Sequence, residues 1–482
     1  MRRAALAVAT VLLLAGPTVV AFYSGGFFTE PRLIAAIVAW LVVLLLALAG
    51  PLPLPRSAPG WLAVGGFVVL VAWSALSITW APLRGPATGD VERLLLYLAA
   101  LLVAVGMARE RGVVRLMEPA LAAGTVIVIG YGLSGRLLPG IVHLAHSLNA
   151  GGRLEQPITY WNSEGALAAI GFVLCARLAG DPTRPRWMRI AAAAASGPLG
   201  AGIYLSYSRG AIAAAAVGLV VLVAAVPVRA QLRAAGLVLV AGVVAAAVSS
   251  AFPGVASLHG GPGSRESDGA IVFVLFAVVA GAAALAQARL SARERDDAQL
   301  EPESPVVRRR VAIALSIVLL VTAGLIVGGL REKVSAAKFA GANASRLTTV
   351  SSNRYQYWRI GARAFIHHPL DGLGTSGFRV YWLEQRPIRE SVQNVHSIEL
   401  ETAAELGIVG LLALGALLGG VGWAAARALR ANAPLAAGLM AGALVWLLHA
   451  SIDWDWQLPA VTLPAIALAG ALIALGERPA EA

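Results

Sequence analysis

Apolar runs long enough to cross a lipid bilayer recur along almost the whole chain. A helix needs about 17–25 mostly apolar residues to span the hydrocarbon core, and helices satisfy all their backbone hydrogen bonds inside lipid. Hydrophobic residues make up 58% of the sequence and charged residues only 13%, against about 25% charged in soluble proteins. The sequence therefore predicts an all-α polytopic membrane protein.

The apolar runs predict about fourteen transmembrane helices. These spans are 5–22, 33–50, 61–79, 91–107, 114–133, 164–179, 190–207, 211–228, 236–252, 270–288, 311–330, 405–426, 435–450 and 459–476. The first run is interpreted as a span and not as a cleaved signal peptide. We expect three regions, with helices one to eleven in 1–330, a large loop in 331–404, and helices twelve to fourteen followed by the C-terminus in 405–482.

The arginines are distributed unevenly between the two sides of the predicted bundle. Twenty of them fall in one alternating set of loops and termini, whereas the short loops of the other set hold seven. Positive residues accumulate on the cytoplasmic side of membrane proteins. We therefore expect both termini in the cytoplasm and the 331–404 loop outside the cytoplasmic membrane. The net charge of +12 then reflects topology and contact with membrane lipids, and predicts no binding of nucleic acid.

The 331–404 loop is the one long polar segment, and we call it the polar loop. Asn353 to Gln356 is similar to a capping box, which predicts a helix start, and Arg354 falls in the first turn of that helix. His368 and Pro369 are expected to end it. The helix should lie on the membrane surface or on the bundle. Its predicted apolar face comprises Trp358, Ala362 and Phe365.

Arg209 lies in a short break, SYSRGA, between two apolar runs. An ionised side chain at membrane depth is costly and suggests a functional site. The alternative is an arginine that extends to the headgroups and holds a helix end there. The neighbouring hydroxyls and Gly210 would suit an anion-binding site.

Other candidates follow within the polar loop. Gly372 and Gly374 belong to a glycine-rich segment that is able to approach a ligand closely. His396 is a natural general base near neutral pH, and a nearby carboxylate such as Glu401 can orient it. Spacing alone favours the alternative, a solvated loop histidine or a local helix cap. The single cysteine and the adjacent pair His367–His368 do not suggest a metal site, and no cofactor is expected.

Four motifs together resemble the O-antigen ligase family, which also includes O-antigen polymerases, and most resemble its actinobacterial-type members. They are YWNSEG, SYSRGA, NRYQYWRIGARAFIHHPLDGLGTSGF and VHSIELETAAELGIVG, in the family's order and spacing. The resemblance extends over roughly 60–475. It implies a GT-C-like membrane glycosyltransferase with one large helical extracytoplasmic loop, whose donor is a saccharide linked to polyprenyl diphosphate.

The resemblance also implies roles for individual residues. The family's two diphosphate-binding arginines correspond to Arg209 and Arg354, and its essential histidine, proposed to deprotonate the acceptor, corresponds to His396. Many relatives have asparagine after this histidine, whereas this chain has Ser397, which leaves the acceptor uncertain. The family is regarded as metal-independent. Supporting roles are expected for Arg359, Gly372, Gly374, Glu401 and Asn162.

Several functions stay open from the sequence alone. The acceptor is a glycan, a lipid or a protein in a ligase, whereas a polymerase of the same family joins lipid-linked repeats to one another. A transporter or flippase is an alternative of another class, although the predicted spans carry almost no charges in their interiors. A scaffold for envelope assembly is the third alternative.

Overall fold

A computed structural model describes residues 2–50, 52–296, 342 and 352–478 of the chain. These residues form three short 3-10 helices and fifteen α-helices. In chain order they are α1 (Arg2–Ala21), α2 (Thr29–Ala49), α3 (Ala58–Ser77), α4 (Arg84–Met107), α5 (Arg111–Leu137), α6 (Trp161–Gly180), α7 (Arg186–Leu205), α8 (Arg209–Ala225), α9 (Arg229–Ala251), α10 (Pro253–Ala256), α11 (Pro262–Asp296), α12 (Arg354–His367), α13 (Phe378–Gln385), α14 (Ile398–Ala450) and α15 (Pro459–Gly476).

The structure confirms an all-α polytopic membrane protein. Within the described ranges, nine helices are long and apolar enough to cross a membrane, and α8 is a shorter apolar helix. Twelve helices cover thirteen of the fourteen predicted spans. The numbers differ by one because α14 alone contains both 405–426 and 435–450. The span predicted at 311–330 lies outside the described residues. The number of fourteen therefore stays a prediction.

Two residues with non-helical backbone divide α14. Gly407 has φ 61° and ψ −158°, and Asn432 has φ −156° and ψ 81°. The Asn432 side chain accepts a hydrogen bond from Leu435 N at 3.0 Å and so caps the helical segment that follows. The first segment of α14 begins at Ile398, where Ser397 is the capping residue. This helix therefore begins well before residue 405, where the apolar pattern had predicted its start.

Small residues allow the membrane helices to pack closely. A Cβ atom at Gly200 of α7 would lie 2.3 Å from the Cα atom of Gly242 in α9. A Cβ atom at Gly420 of α14 would lie 2.4 Å from the backbone nitrogen of Ala63 in α3. Close backbone approach through small residues is a common source of stability between membrane helices. Helix α6 is at the centre of the bundle and is buried along its length.

Charged side chains collect near the ends of the bundle. At one end, Arg109 pairs with Glu477 at 3.1 Å and Arg184 pairs with the buried Glu118 at 2.7 Å. We call this the arginine-rich end because, of the arginines that the structure describes, the larger set lies in its loops and termini. The opposite end, which we call the site end, carries the connections 78–83, 138–160, 206–208 and 451–458 together with α12 and α13.

Helices α12 and α13 form a small apolar cluster of their own against the start of α14. The buried face of α12 comprises Tyr357, Ile360, Gly361 and Ala364. The predicted apolar face of Trp358, Ala362 and Phe365 is partly buried, and Trp358 packs against this cluster. The expected capping box is absent, because the Asn353 amide donates to Glu390 Oε2 at 3.0 Å and makes no cap hydrogen bond. The helix does end before His368, as predicted.

Candidate functional site

Asp453 lies at the centre of the polar contacts at the site end. It belongs to the connection between α14 and α15, and its side chain is fully buried. The carboxylate pairs with the Arg354 guanidinium and accepts a hydrogen bond from the Tyr160 hydroxyl at 2.8 Å. Burial raises the pKa of this carboxyl, but the charges of Arg354 and His449 outweigh burial and hold the pKa below its ordinary value. Asp453 therefore stays ionised and orients Arg354 at the start of α12.

The YWNSEG motif contributes three side chains to the same region. Tyr160 directly precedes α6, and its hydroxyl also accepts from the Asn162 amide at 2.7 Å. Ser163 donates to Asp455, a second buried carboxylate of the 451–458 connection. The first turn of α6 is thus tied to this connection by two hydrogen-bonded chains, and Asn162 acts on Asp453 only through Tyr160.

His396 lies in the connection before α14, in a left-handed backbone conformation with φ 62°. Its Nδ1 is 2.9 Å from the Asn394 carbonyl oxygen. A carbonyl only accepts, so Nδ1 carries the proton and Nε2 keeps its lone pair. The imidazole ring packs 5.0 Å from the Tyr357 ring and 6.3 Å from the Trp454 ring, measured between centroids. In the neutral imidazole, Nε2 is then the nitrogen that is able to accept a proton.

The pKa of His396 is lowered to about 4. Burial among aromatic rings is the main cause, and the positive charge of Arg354 lowers it further, while Asp453 acts in the opposite direction. Both charges change the pKa of the imidazole, so the protonation of His396 is linked to the charges of Arg354 and Asp453. At neutral pH the imidazole is unprotonated, which is the form that a general base requires.

Glu401 supports the His396 backbone from the first turns of α14. Its carboxylate accepts from Val395 N at 2.9 Å and also bonds to the Gln457 amide. Trp358 of α12 donates its indole N–H to the His396 carbonyl oxygen at 3.1 Å. These contacts hold the strained residue from both sides, so Glu401 positions the backbone and does not contact the imidazole in the way that the sequence suggested.

Arg209 is the first residue of α8, directly after the break that the sequence predicted. Ser208 caps the helix by accepting from Ala211 N at 3.2 Å, and its hydroxyl lies 3.1 Å from His449 Nε2. A Cβ atom at Gly210 would lie 2.8 Å from Cδ1 of Ile452, the residue that precedes Asp453. Ser208 and Gly210, on either side of Arg209, thus lie against His449 and Ile452, close to the residue that binds Arg354.

The glycine-rich segment packs against protein backbone. Gly372 and Gly374 have φ values of 70° and 79°. A Cβ atom would lie 2.3 Å from the Glu405 carbonyl carbon at Gly372 and 2.7 Å from Ala81 Cα at Gly374. Close packing and positive φ together account for both glycines without a ligand. Arg359, another expected supporting residue, lies on the exposed face of α12.

A buried polar pocket holds the end of the same segment. The Glu405 carboxylate accepts from the backbone nitrogens of Ser376 and Phe378 at 2.9 and 3.2 Å. The Ser376 hydroxyl donates to Asp90 of α4, and Ser77 of α3 accepts from Thr375 N at 3.0 Å. Glu405 therefore fastens the polar loop to the bundle, so that α12 is held over the site end.

Sequence reasoning missed four residues of the site, namely Tyr160, His449, Asp453 and Asp455. A signal for three of them was present, because HASIDWDW at 449–456 is a polar interruption between the last two apolar runs. It has the same character as SYSRGA, which had marked Arg209. What the sequence does not give is the pairing of Asp453 with Arg354, since these residues lie far apart along the chain.

The fold and this site define a multi-pass membrane protein with an arginine–carboxylate pair and a neutral histidine at one end of its bundle. Residues 263–415 match the family model described as O-antigen ligase, so this part of the chain is similar to that family. The matched range includes Arg354 and His396, whereas Arg209, Tyr160 and Asp453 lie outside it. No curated protein gives a significant match to the chain.

Proposed function

We propose that this protein is a glycosyltransferase of the cytoplasmic membrane. In this proposal it transfers a saccharide from a polyprenyl-diphosphate donor to a hydroxyl of a glycan, lipid or protein acceptor, without a metal. The observation that carries it is the grouping of Arg354, Asp453 and His396 at one end of the bundle, in a chain whose residues 263–415 match the O-antigen ligase family model. The termini are cytoplasmic and the site end faces outward, which the arginine-rich loops at the other end support.

The two arginines bind the donor diphosphate. A guanidinium has five N–H donors, and the contact of Arg354 with Asp453 is made through Nη2. Tyr160 also hydrogen-bonds to Arg354. In this proposal the remaining N–H donors of Arg354 bind phosphate oxygens while Asp453 fixes its orientation. Arg209 at the start of α8 adds the favourable field of a helix N-terminus. Both groups stabilise the negative charge that develops on the leaving diphosphate.

His396 accepts the proton of the acceptor hydroxyl at Nε2. The hydroxyl oxygen then forms a bond to the anomeric carbon, and the bond from that carbon to the diphosphate oxygen breaks. The electron pair leaves with polyprenyl diphosphate, and this single displacement inverts the configuration at the anomeric carbon. The low pKa of the free histidine suits this role once the donor is bound, because a nearby diphosphate raises the pKa of an imidazole.

Matched arginine-to-lysine variants test the role of the two arginines. Lysine keeps the charge but loses the planar fork that binds phosphate in bidentate fashion. We expect Arg209→Lys and Arg354→Lys to lose most transfer activity while both proteins remain folded in detergent by size-exclusion chromatography. Arg363→Lys, on the exposed face of α12, is the control and should transfer normally. Near-normal rates for the first two variants would remove the diphosphate-binding role.

A further inference from the structure

The residues 449–456, HASIDWDW, connect the end of α14 to the turn before α15, and we call them the 449–456 segment. Three of their ionisable side chains, His449, Asp453 and Asp455, are fully buried. The proposed reaction needs none of them to touch the donor or the acceptor. Buried ionisable groups are costly unless they are paired, so their contacts indicate what they do.

One branch of contacts leads from this segment to Arg209. The Asp455 carboxylate pairs with His449 Nδ1 and also accepts from the Ser163 hydroxyl. The opposite ring nitrogen of His449 lies 3.1 Å from the Ser208 hydroxyl oxygen. Ser208 is the capping residue of α8, and Arg209 is the first residue of that helix. The orientation of the imidazole is thus transmitted to the residue next to Arg209.

The other branch leads to Arg354. Asp453 pairs with its guanidinium, and the second oxygen of Asp453 accepts from the Tyr160 hydroxyl and from Trp454 N, at 2.8 and 2.9 Å. The carboxylate is thus held from both sides, by Arg354 on one oxygen and by Tyr160 and Trp454 on the other. A short 3-10 turn, Asp455–Gln457, lies between the two branches and α15.

Replacing a buried ion pair by apolar residues is often neutral or stabilising, so such pairs are weak evidence for a role in stability. The buried pairs of this segment are better explained if they fix the positions of neighbouring residues. We propose that the 449–456 segment sets the spacing of the two arginines: His449, held by Asp455, positions Arg209 through Ser208, while Asp453 positions Arg354. This inference rests on the proposed binding of the donor diphosphate by Arg209 and Arg354.

Double-mutant cycles with inorganic pyrophosphate as the probe test this inference. Ser208→Ala removes one hydroxyl, and we expect it to weaken pyrophosphate binding by roughly tenfold, about the effect of one hydrogen bond. Ser208→Thr keeps the hydroxyl and should bind normally. In an Arg209→Lys background, Ser208→Ala should cause no further loss, because its effect passes through the arginine. Binding is measured by calorimetry on the purified full chain in detergent.

Asp453→Asn gives the corresponding cycle with Arg354→Lys, and the two losses should again be less than additive. Ser264→Ala and Glu384→Gln, exposed residues at the same end, are the matched controls and should bind like the wild type. Thermal unfolding of every variant separates lost binding from lost folding. Asp455→Asn tests the first branch independently should Ser208→Ala fold poorly.

Additive losses in both cycles would overturn the inference, because the segment would then act on the whole fold and not through the arginines. Normal binding by Ser208→Ala and Asp453→Asn would overturn it as well, but would leave the proposed function intact. If Arg209→Lys and Arg354→Lys both bind pyrophosphate like the wild type, the diphosphate-binding role fails and the inference fails with it.

Discussion

The pKa of His396 determines how the transfer rate should depend on pH. An ordinary histidine has a pKa near 6.5, whereas burial and the charge of Arg354 lower the value for His396 to about 4. A general base acts in its unprotonated form, and kcat/KM follows the pKa of the free enzyme. We therefore expect kcat/KM to remain high on acidification until the pH approaches about 4.

These two pKa values predict very different unprotonated fractions of His396 at pH 5.5. With a pKa of about 4, about 97% of the imidazole is unprotonated at this pH, whereas a pKa of 6.5 leaves about 9%. The structure therefore predicts nearly full kcat/KM where an ordinary histidine would give about a tenfold loss. The value of kcat should decline at a higher pH than kcat/KM, because the bound diphosphate raises the pKa of His396 in the complex.

The assay is the initial rate of transfer by purified protein between pH 4 and 8. At His396 the unfolded chain binds more protons than the native state between pH 4 and 6.5, so the contribution of this residue to the free energy of unfolding falls on acidification through this range. Size-exclusion chromatography at each pH must therefore show folded protein.

His396→Ala should lose about 10²–10⁴-fold in turnover and should lack the acid limb. His367→Ala, at the exposed end of α12, is the control and should keep the wild-type profile. A wild-type midpoint near pH 6.5 in kcat/KM, or the same acid limb in His396→Ala, would refute the reasoning.

Two further predictions concern the bundle. In a Cys175→Ala background, Ser391→Cys at the site end should react with a membrane-impermeant thiol reagent in intact cells, whereas Thr183→Cys at the arginine-rich end should react only after lysis; the reverse pattern would invert the proposed topology. Gly200→Ala places a methyl group 2.3 Å from the α9 backbone and should lower the free energy of unfolding by about 1–3 kcal/mol through overpacking. Gly236→Ala, which meets nothing within 4 Å, is its control in detergent-based thermal unfolding, and equal stability of the two variants would contradict the packing argument.

The helices were predictable from the sequence because lipid requires the backbone to satisfy its own hydrogen bonds. Apolar runs therefore gave both the fold class and the approximate positions of the helices. Their ends were less predictable, because tertiary contacts decide them. Asn353 looked like a capping residue, but its amide bonds Glu390 in a distant part of the polar loop. The first segment of α14 was missed because its opening residues include Glu399 and Glu401, which interrupt the apolar pattern.

The candidate site was predictable where a single residue conflicts with its surroundings. Arg209 in an apolar hairpin and His396 before a span both stand out without a structure. Asp453 did not stand out, because its importance comes from Arg354 and Tyr160, and no local pattern pairs residues so distant along the chain. Similarly, the glycines of the polar loop suggested a ligand, but the structure accounts for Gly372 by its approach to the α14 backbone.

The most direct test of the proposed function is a transfer assay with defined substrates. Purified protein is incubated with a saccharide linked to polyprenyl diphosphate and with candidate acceptors, and the products are identified by mass spectrometry. We predict free polyprenyl diphosphate together with the saccharide joined to an acceptor hydroxyl, and neither product from Arg354→Lys. A longer lipid-linked chain would instead identify a polymerase. An unchanged donor with every acceptor, from folded wild-type protein, would contradict the proposal.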